Sequence, residues 1–326
     1  MSVLSILRPL APCKLIRKSE IMERFLPYLA ALLFSIIFGF SFMFTKEGLE
    51  LIRPLHLLSL RFFIAAFLLT LLYILRIVRI NLKGKNIAML LLLAIIQPGL
   101  YFLFETLGIN RTSSSEAGIM IALIPIVVTI LANLFLGEKT RRLQFFFILL
   151  SVCGVIFIVV MKGVSEGNIN YIGLLYLFAA VLTAAFYNIL SRFLSLQFKP
   201  VEITFIMMWT GAIFFTLLMI LKYNYSLYQI IRPVREWPVF VVVFYLGAFS
   251  SVLAYFMMNY TLSRLEAARS AVFANLTTVI SILAGVVFRG ESFYWYQAFG
   301  ACLIITGIFG TNYFGKMKKG AEELPI

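Results

Sequence analysis

Residues 111–154 return 153 positions later as residues 264–307: Arg111, Gly137-Glu138, Gln144 and Gly154 reappear as Arg264, Gly290-Glu291, Gln297 and Gly307, each in the same apolar context. Upstream the register continues at an offset of 154, where Tyr101-Phe102 matches Tyr255-Phe256 and Glu105 matches Asn259. Further upstream it runs at 146, where Lys46 matches Arg192 and Pro54 matches Pro200. A chain with this internal copy is built from two homologous halves that pack on one another.

With 62% hydrophobic and only 13% charged residues, the halves hold more apolar side chain than a soluble core of this size could hide, which marks an integral membrane protein. Stretches of the bilayer-crossing length, about 20 residues, recur near 25–45, 55–78, 86–108, 116–136, 143–161, 171–193, 201–221, 238–260, 269–288 and 294–314. No alternating strand pattern competes with them, so helices satisfy the backbone. The expected fold is an all-α membrane protein of ten transmembrane helices. Its parts are a basic tail over 1–24, a first five-helix repeat over 25–162, a second over 171–315 and a short tail over 316–326. Because five is odd, the second repeat enters the bilayer from the opposite side, and the halves are inverted.

Lys and Arg total 28 against 14 Asp and Glu. If the N-terminus is cytoplasmic, nineteen of these bases fall on inner segments, eight on outer loops and one, Arg61, inside a span. That asymmetry places both termini in the cytoplasm and the chain in the cell membrane. It also accounts for the charge without nucleic acid. Cys13, Cys153 and Cys302 form no spaced cluster, so neither a disulfide framework nor a metal site is expected. The basic N-terminus, broken by Pro9 and Pro12, has no signal-peptide core, and translation could begin at Met1 or Met22.

An inverted repeat supplies two conformations of similar energy by exchanging the shapes of its halves, the physical basis of alternating access around a midplane site. A receptor or anchor has no use for that symmetry. Enzymatic constellations and phosphate-binding glycine loops are absent, so neither an enzyme nor ATP-driven pumping by this chain is expected, and no cofactor. The expectation is secondary transport of a small-molecule substrate across the lipid bilayer, with a lipid-precursor flippase or a non-transporting scaffold as rivals.

The segment from Leu107 to Thr140 has Ser113 to Ala117 opening a span, Pro125 in its middle and Leu136-Gly137-Glu138 closing it, with its partner segment over Asn259 to Glu291. On these residues the chain resembles the drug/metabolite transporter superfamily, in its ten-span EamA-type branch, over about residues 25–315. The resemblance implies a permease in which spans three, four, eight and nine, with one and six, surround the substrate, and it favours export. Phe38 stands where a Trp is common in the family and Thr278 where the second half often has proline, so no proline kink is argued for span nine.

Gly137 and Gly290 can end spans four and nine in the left-handed conformation, with Thr140 or Ser292 capping the next helix. On that reading Glu138 and Glu291 belong to structural hairpins, and Glu138→Gln changes transport only slightly. The alternative is a gate, in which the acid pairs with a basic residue of the other half in one of two states. Gln97, Tyr101 and Glu105 are spaced to share one face of span three, and their counterparts Ser251, Tyr255 and Asn259 share one face of span eight. Two symmetry-related polar faces suit a central cavity, or interhelical hydrogen bonds that lock the bundle. Asn275 in span nine is added to the candidate substrate-binding set, and Asn133, Tyr187, Asn188, Thr277, Thr278 and Ser281 could complete the lining.

Arg61 lies roughly 9 Å below the outer surface by helical rise, and Glu105 is also in the outer half. An unpaired charge at the bilayer centre costs about 2.5 to 3.5 kcal/mol. The pair could be an ion pair, a substrate or proton-coupling site, or Arg61 could snorkel alone. The one histidine, His56, reads as a solvated loop-edge residue, and most of the 33 Phe as lipid-facing. Tyrosines, amides and one acid suit an amino acid or another zwitterionic or cationic metabolite better than a phosphorylated sugar.

Overall fold

The computed structural model describes residues 13–109, 111, 120–162, 170–290 and 292–316, and every regular element among them is helical. The expected positions Ser113 to Ala117 and Glu291 lie outside the described residues. Ten spans follow in order: α1 (Cys13–Leu51), α2 (Pro54–Ile74), α3 (Ile87–Gly108), α4 (Met120–Leu136), α5 (Arg142–Lys162), α6 (Tyr171–Leu194), α7 (Pro200–Tyr223), α8 (Trp237–Arg264), α9 (Ala267–Phe288) and α10 (Trp295–Lys316). Nine of the ten pass a length and hydropathy test for crossing a membrane, and the described part of α4 is a shorter apolar helix.

The packing obeys the repeat. The helices α2 and α7 pack on each other, as do α5 and α10, and each pair joins equivalent spans of the two halves. The contact of α3 with α6 recurs as α8 with α1, and that of α4 with α6 recurs as α9 with α1. The glycines shared by the two halves find their reason at α5 and α10. A Cβ on Gly154 would come within 2.8 Å of the Gly300 carbonyl oxygen, and one on Gly307 within 2.6 Å of the Ser151 backbone nitrogen. Without a hydrophobic drive in lipid, such close backbone approach is what holds helices together.

Both repeats depart from regular α-helix in their third span, over overlapping stretches. In α3 the helix is kinked within Ile95–Leu100, where Gln97 has φ −145 and ψ 121, extended backbone between two helical stretches. In α8 a π-helical segment covers Tyr245–Leu253. Irregular backbone at membrane depth is tolerated where it borders a cavity or is buried in protein, and π segments concentrate at functional positions. The helix α9 is also interrupted, by a 3-10 turn over Val272–Asn275, although it has no proline.

Gly137 (φ 65, ψ 16) and Gly290 (φ 65, ψ 24) end α4 and α9 in the left-handed conformation, as the sequence suggested. The caps differ from expectation. The α10 helix starts at Trp295, and the side chain of Gln297, not of Ser292, accepts the Tyr294 N–H at 2.9 Å. Likewise α5 starts at Arg142, two residues past Thr140. His56 is a further correction: it is 3% exposed, with Nε2 2.9 Å from the Ile230 carbonyl oxygen. A short connecting helix after α7, Leu227–Ile231, folds over the start of α2 and covers it.

Candidate functional site

A cavity of about 350 Å³ occupies the centre of the bundle. At one end, called here the Pro54 end, its wall reaches Thr45, Leu49, Pro54 and Thr106 near the helix termini. Towards the opposite end, that of Glu138, the wall stops at Asn188, Ser270 and Ala271, one helical turn short of Arg192 and Ala267. Phe34, Phe38, Phe42 and Phe102 line it, and of these Phe34 and Phe102 are buried and so face inward and not toward lipid.

Four of the seven candidate binding residues meet in this wall: Gln97, Tyr101, Glu105 and Tyr255. The hydroxyl of Tyr101 donates to Glu105 Oε1 at 2.8 Å, one turn along α3, and Gln97 Nε2 donates to the Tyr255 hydroxyl at 2.8 Å, joining the halves. The break at Gln97 turns its side chain away from the α3 backbone ladder and into the cavity wall.

The other three have structural employment instead. Ser251 accepts from Arg61 Nε at 2.8 Å and is fully buried. Asn259 accepts from the hydroxyls of Tyr187 and Ser191, each at 2.8 Å, and donates to Thr204 Oγ1 at 3.1 Å, so it ties α8 to α6 and α7. Asn275 donates to Ser151 Oγ at 3.0 Å, fastening α9 to α5. None of these three lines the cavity, because each amide or hydroxyl is consumed by a neighbouring helix. Asn259→Leu would remove three interhelical hydrogen bonds, to Tyr187, Ser191 and Thr204. Interhelical hydrogen bonds in lipid are worth about 0.6 to 2 kcal/mol each, so purified protein should lose thermal stability by several degrees, read as the midpoint of a detergent melt, and by more than Gln97→Leu, which breaks the single bond to Tyr255.

Arg61 corrects both structural readings made from sequence. No ion pair joins it to Glu105, and at 4% exposure it does not snorkel. Its Nε and Nη2 donate to Ser251 and Ser250 at 2.8 and 2.9 Å, both serines of the π segment of α8. Its guanidinium carbon lies 4.9 Å from the ring centre of Phe102 and 5.5 Å from that of Phe62. Two serines therefore hold the guanidinium by its Nε and Nη2 edge, beside the rings of Phe62 and Phe102, and Arg61 lines the cavity.

At the Glu138 end the halves are bolted together. Glu138 Oε2 accepts the Ala267 N–H at the start of α9 at 2.8 Å, and Oε1 is 3.4 Å from Arg192 Nε at the end of α6. Arg192 Nη1 donates in turn to the Leu262 carbonyl oxygen of α8 at 2.9 Å. Burial pushes the Glu138 carboxyl above the usual carboxylate range, against the pull of the Ala267 amide and Arg192. A second pair at this end, Lys85 to Glu202 at 2.5 Å, ties the α2–α3 loop to α7. Arg192 was visible in the sequence only as the repeat partner of Lys46. The contact nonetheless matches the gating alternative in kind, a pairing of Glu138 with a base of the other half.

Comparison with known proteins gives a consistent picture. The model of the EamA-like transporter family matches residues 25–160 and 171–313. An uncharacterized transporter of Bacillus subtilis, YcxC, is 36% identical over 287 residues, covering 87% of this chain and 92% of its own length. An uncharacterized transporter of Archaeoglobus fulgidus is 28% identical, covering 83% of this chain and 93% of its own. A solved crystal structure superposes with a TM-score of 0.73 at 17% identity over 89% of this chain and 98% of that one, a likeness of fold.

Proposed function

Because the chain belongs to the EamA-like transporter family, we propose that it is a secondary transporter that exports amino acids or related zwitterionic or cationic metabolites across the cell membrane by alternating access. The single observation that supports the substrate class is the cavity wall, where a cation, Arg61, and an acid, Glu105, stand on one surface without pairing to each other. A zwitterion brings the complement of both. The volume, about 350 Å³, lies at the small end of ligand pockets, roughly 300 to 1,000 Å³.

On the proposed topology both termini and the Glu138 end are cytoplasmic, so the conformation described is open outward and sealed inward. Glu105, nearer the opening, attracts the ammonium end of a solute in the vestibule. Exchange of the two halves' shapes would open the Glu138 end and close the other. The test is flux of labelled amino acids in proteoliposomes. Glu105→Gln should slow it about tenfold, the effect of losing roughly 1.4 kcal/mol of attraction, and unchanged flux would remove Glu105 from the site.

A second reading, lipid-precursor flipping, is favoured by one feature. An apolar groove of about 370 Å³ between α2, α3 and α7 shares Pro54, Leu58, Phe102 and Thr106 with the cavity and so lies directly beside it. Translocation of a labelled lipid precursor without amino-acid flux would select this reading.

A further inference from the structure

Three polar atoms in the cavity wall have no hydrogen-bond partner: Gln97 Oε1, Asn188 Oδ1 and Ser270 Oγ. Their residues are 5%, 2% and 1% exposed. Asn188 Nδ2 donates to the Ala184 carbonyl oxygen at 2.8 Å, one turn back on α6, so its oxygen is the free end of the amide, and Gln97 Nε2 is bonded to the Tyr255 hydroxyl. Two other buried polar atoms without a partner, Gln144 Nε2 and Thr311 Oγ1, lie away from the cavity wall, whereas Asn259 is matched by Tyr187, Ser191 and Thr204. Each buried polar group left unmatched costs about 1 to 3 kcal/mol, so three on one surface call for a ligand that donates hydrogen bonds.

We propose that Gln97, Asn188 and Ser270 form an ammonium subsite at the inner end of the cavity, taking a primary ammonium group while the carboxylate of the same molecule meets Arg61. A primary ammonium offers three N–H donors, one for each acceptor. The subsite contains no carboxylate, so the empty carrier can change conformation without desolvating an anion there. The set is also unique to one half. At the repeat offsets the counterpart of Asn188 is Phe42 and that of Ser270 is Ala117, while Ser251, the counterpart of Gln97, is taken by Arg61. The substrate is therefore bound in one orientation, ammonium inward and apolar side chain among Phe38 and Phe42. This assignment rests on the amino-acid reading given above.

The experiment uses the full chain in proteoliposomes with a labelled pool of leucine, methionine and phenylalanine, competed by the N,N,N-trimethyl derivatives of the same amino acids. Those derivatives keep carboxylate, side chain and positive charge but have no N–H. They should compete at least about tenfold less well than the parent amino acids, the loss of one hydrogen bond to a charged group. Asn188→Leu and Ser270→Ala should raise KM about tenfold with a smaller change in maximal rate. Asn188→Thr, whose hydroxyl can still donate to the carbonyl oxygen one turn back at Ala184, guards against misfolding of the leucine variant and should give a KM between those of wild type and Asn188→Leu. Equal competition by the trimethyl compounds, or wild-type KM in folded Asn188 and Ser270 variants, overturns the subsite while leaving amino-acid transport standing. Absence of any flux of the pool in the wild type overturns both.

Discussion

Replacing Arg61 with leucine is expected to lower amino-acid flux by on the order of 100-fold, with the protein still inserted and monodisperse in detergent. Two hydrogen bonds from the guanidinium to a substrate carboxylate, each worth about 1.5 to 3 kcal/mol, sum to at least two decades in affinity. The site is preorganised for that role. Ser250 and Ser251 take Nε and Nη2, and Phe62 and Phe102 cover the guanidinium, so little side-chain freedom is lost on binding. Arg61→Lys keeps the charge but not the fork, and it should retain roughly a tenth of the flux, the value of one charged hydrogen bond. Loss of the bonds to Ser250 and Ser251 lowers stability on either account, so the distinguishing mark of a purely structural role is no discrimination between amino acids and amines that have no carboxylate. Competition by isoamylamine against leucine, in wild type and Arg61→Leu, reads that difference directly.

The second large effect is expected at the Glu138 end. Arg192→Glu places two carboxylates where Glu138 now meets a guanidinium, and it removes the donor to the Leu262 carbonyl. Four helices lose their common tie: α4 through Glu138, α6 through Arg192, α8 through Leu262 and α9 through the Ala267 amide. A swing of about 3 kcal/mol changes a two-state ratio more than 100-fold. A cysteine at Ala271 should then react at least tenfold faster with an impermeant maleimide from the Glu138 side, and flux should fall because the seal no longer forms. The double exchange Glu138→Arg with Arg192→Glu should recover only part of the seal. It restores the attraction but neither the acceptor for Ala267 nor the donor for Leu262.

Protonation acts on the same seal with a defined sign. Burial raises the Glu138 pKa in the closed arrangement, so that arrangement binds a proton more readily than one with the carboxylate in water. Falling pH on that side, through and below the raised pKa, should therefore favour closure and slow Ala271 labelling. Glu138→Gln should abolish the pH response. It keeps an oxygen for Ala267, which agrees with the small effect on transport that the hairpin reading assigns to this substitution.

The fold was legible in the sequence to an unusual depth because the repeat carries its own register. Spacing of Arg111 and Arg264, of the two Gly-Glu pairs and of Gly154 and Gly307 fixes which spans are equivalent, and an odd number per half fixes their inversion. The candidate site was legible only by halves. Helical spacing put Gln97, Tyr101 and Glu105 on one face, and that face does line the cavity. The same spacing could not tell a side chain that faces the cavity from one consumed by a neighbour. Asn259 and Asn275 therefore looked like lining, while Asn188 stood among several equals and Ser270 was not singled out. What separates them is a partner from a distant span, Ser151 for Asn275 and Tyr187, Ser191 and Thr204 for Asn259, and sequence periodicity carries no information on such pairings. The same limit hid the serines that hold Arg61.

The central claim is that one cavity serves both sides of the membrane in turn. A single cysteine placed at Ala274, in the cavity wall on α9, in a protein whose own cysteines are replaced, measures this most directly in reconstituted vesicles of known orientation. The account predicts reaction with an impermeant maleimide added from either side. It further predicts that disulfide cross-linking of cysteines at Glu138 and Arg192 abolishes labelling from that end while sparing the other. Labelling from one side alone, in vesicles that still carry solute, would contradict it.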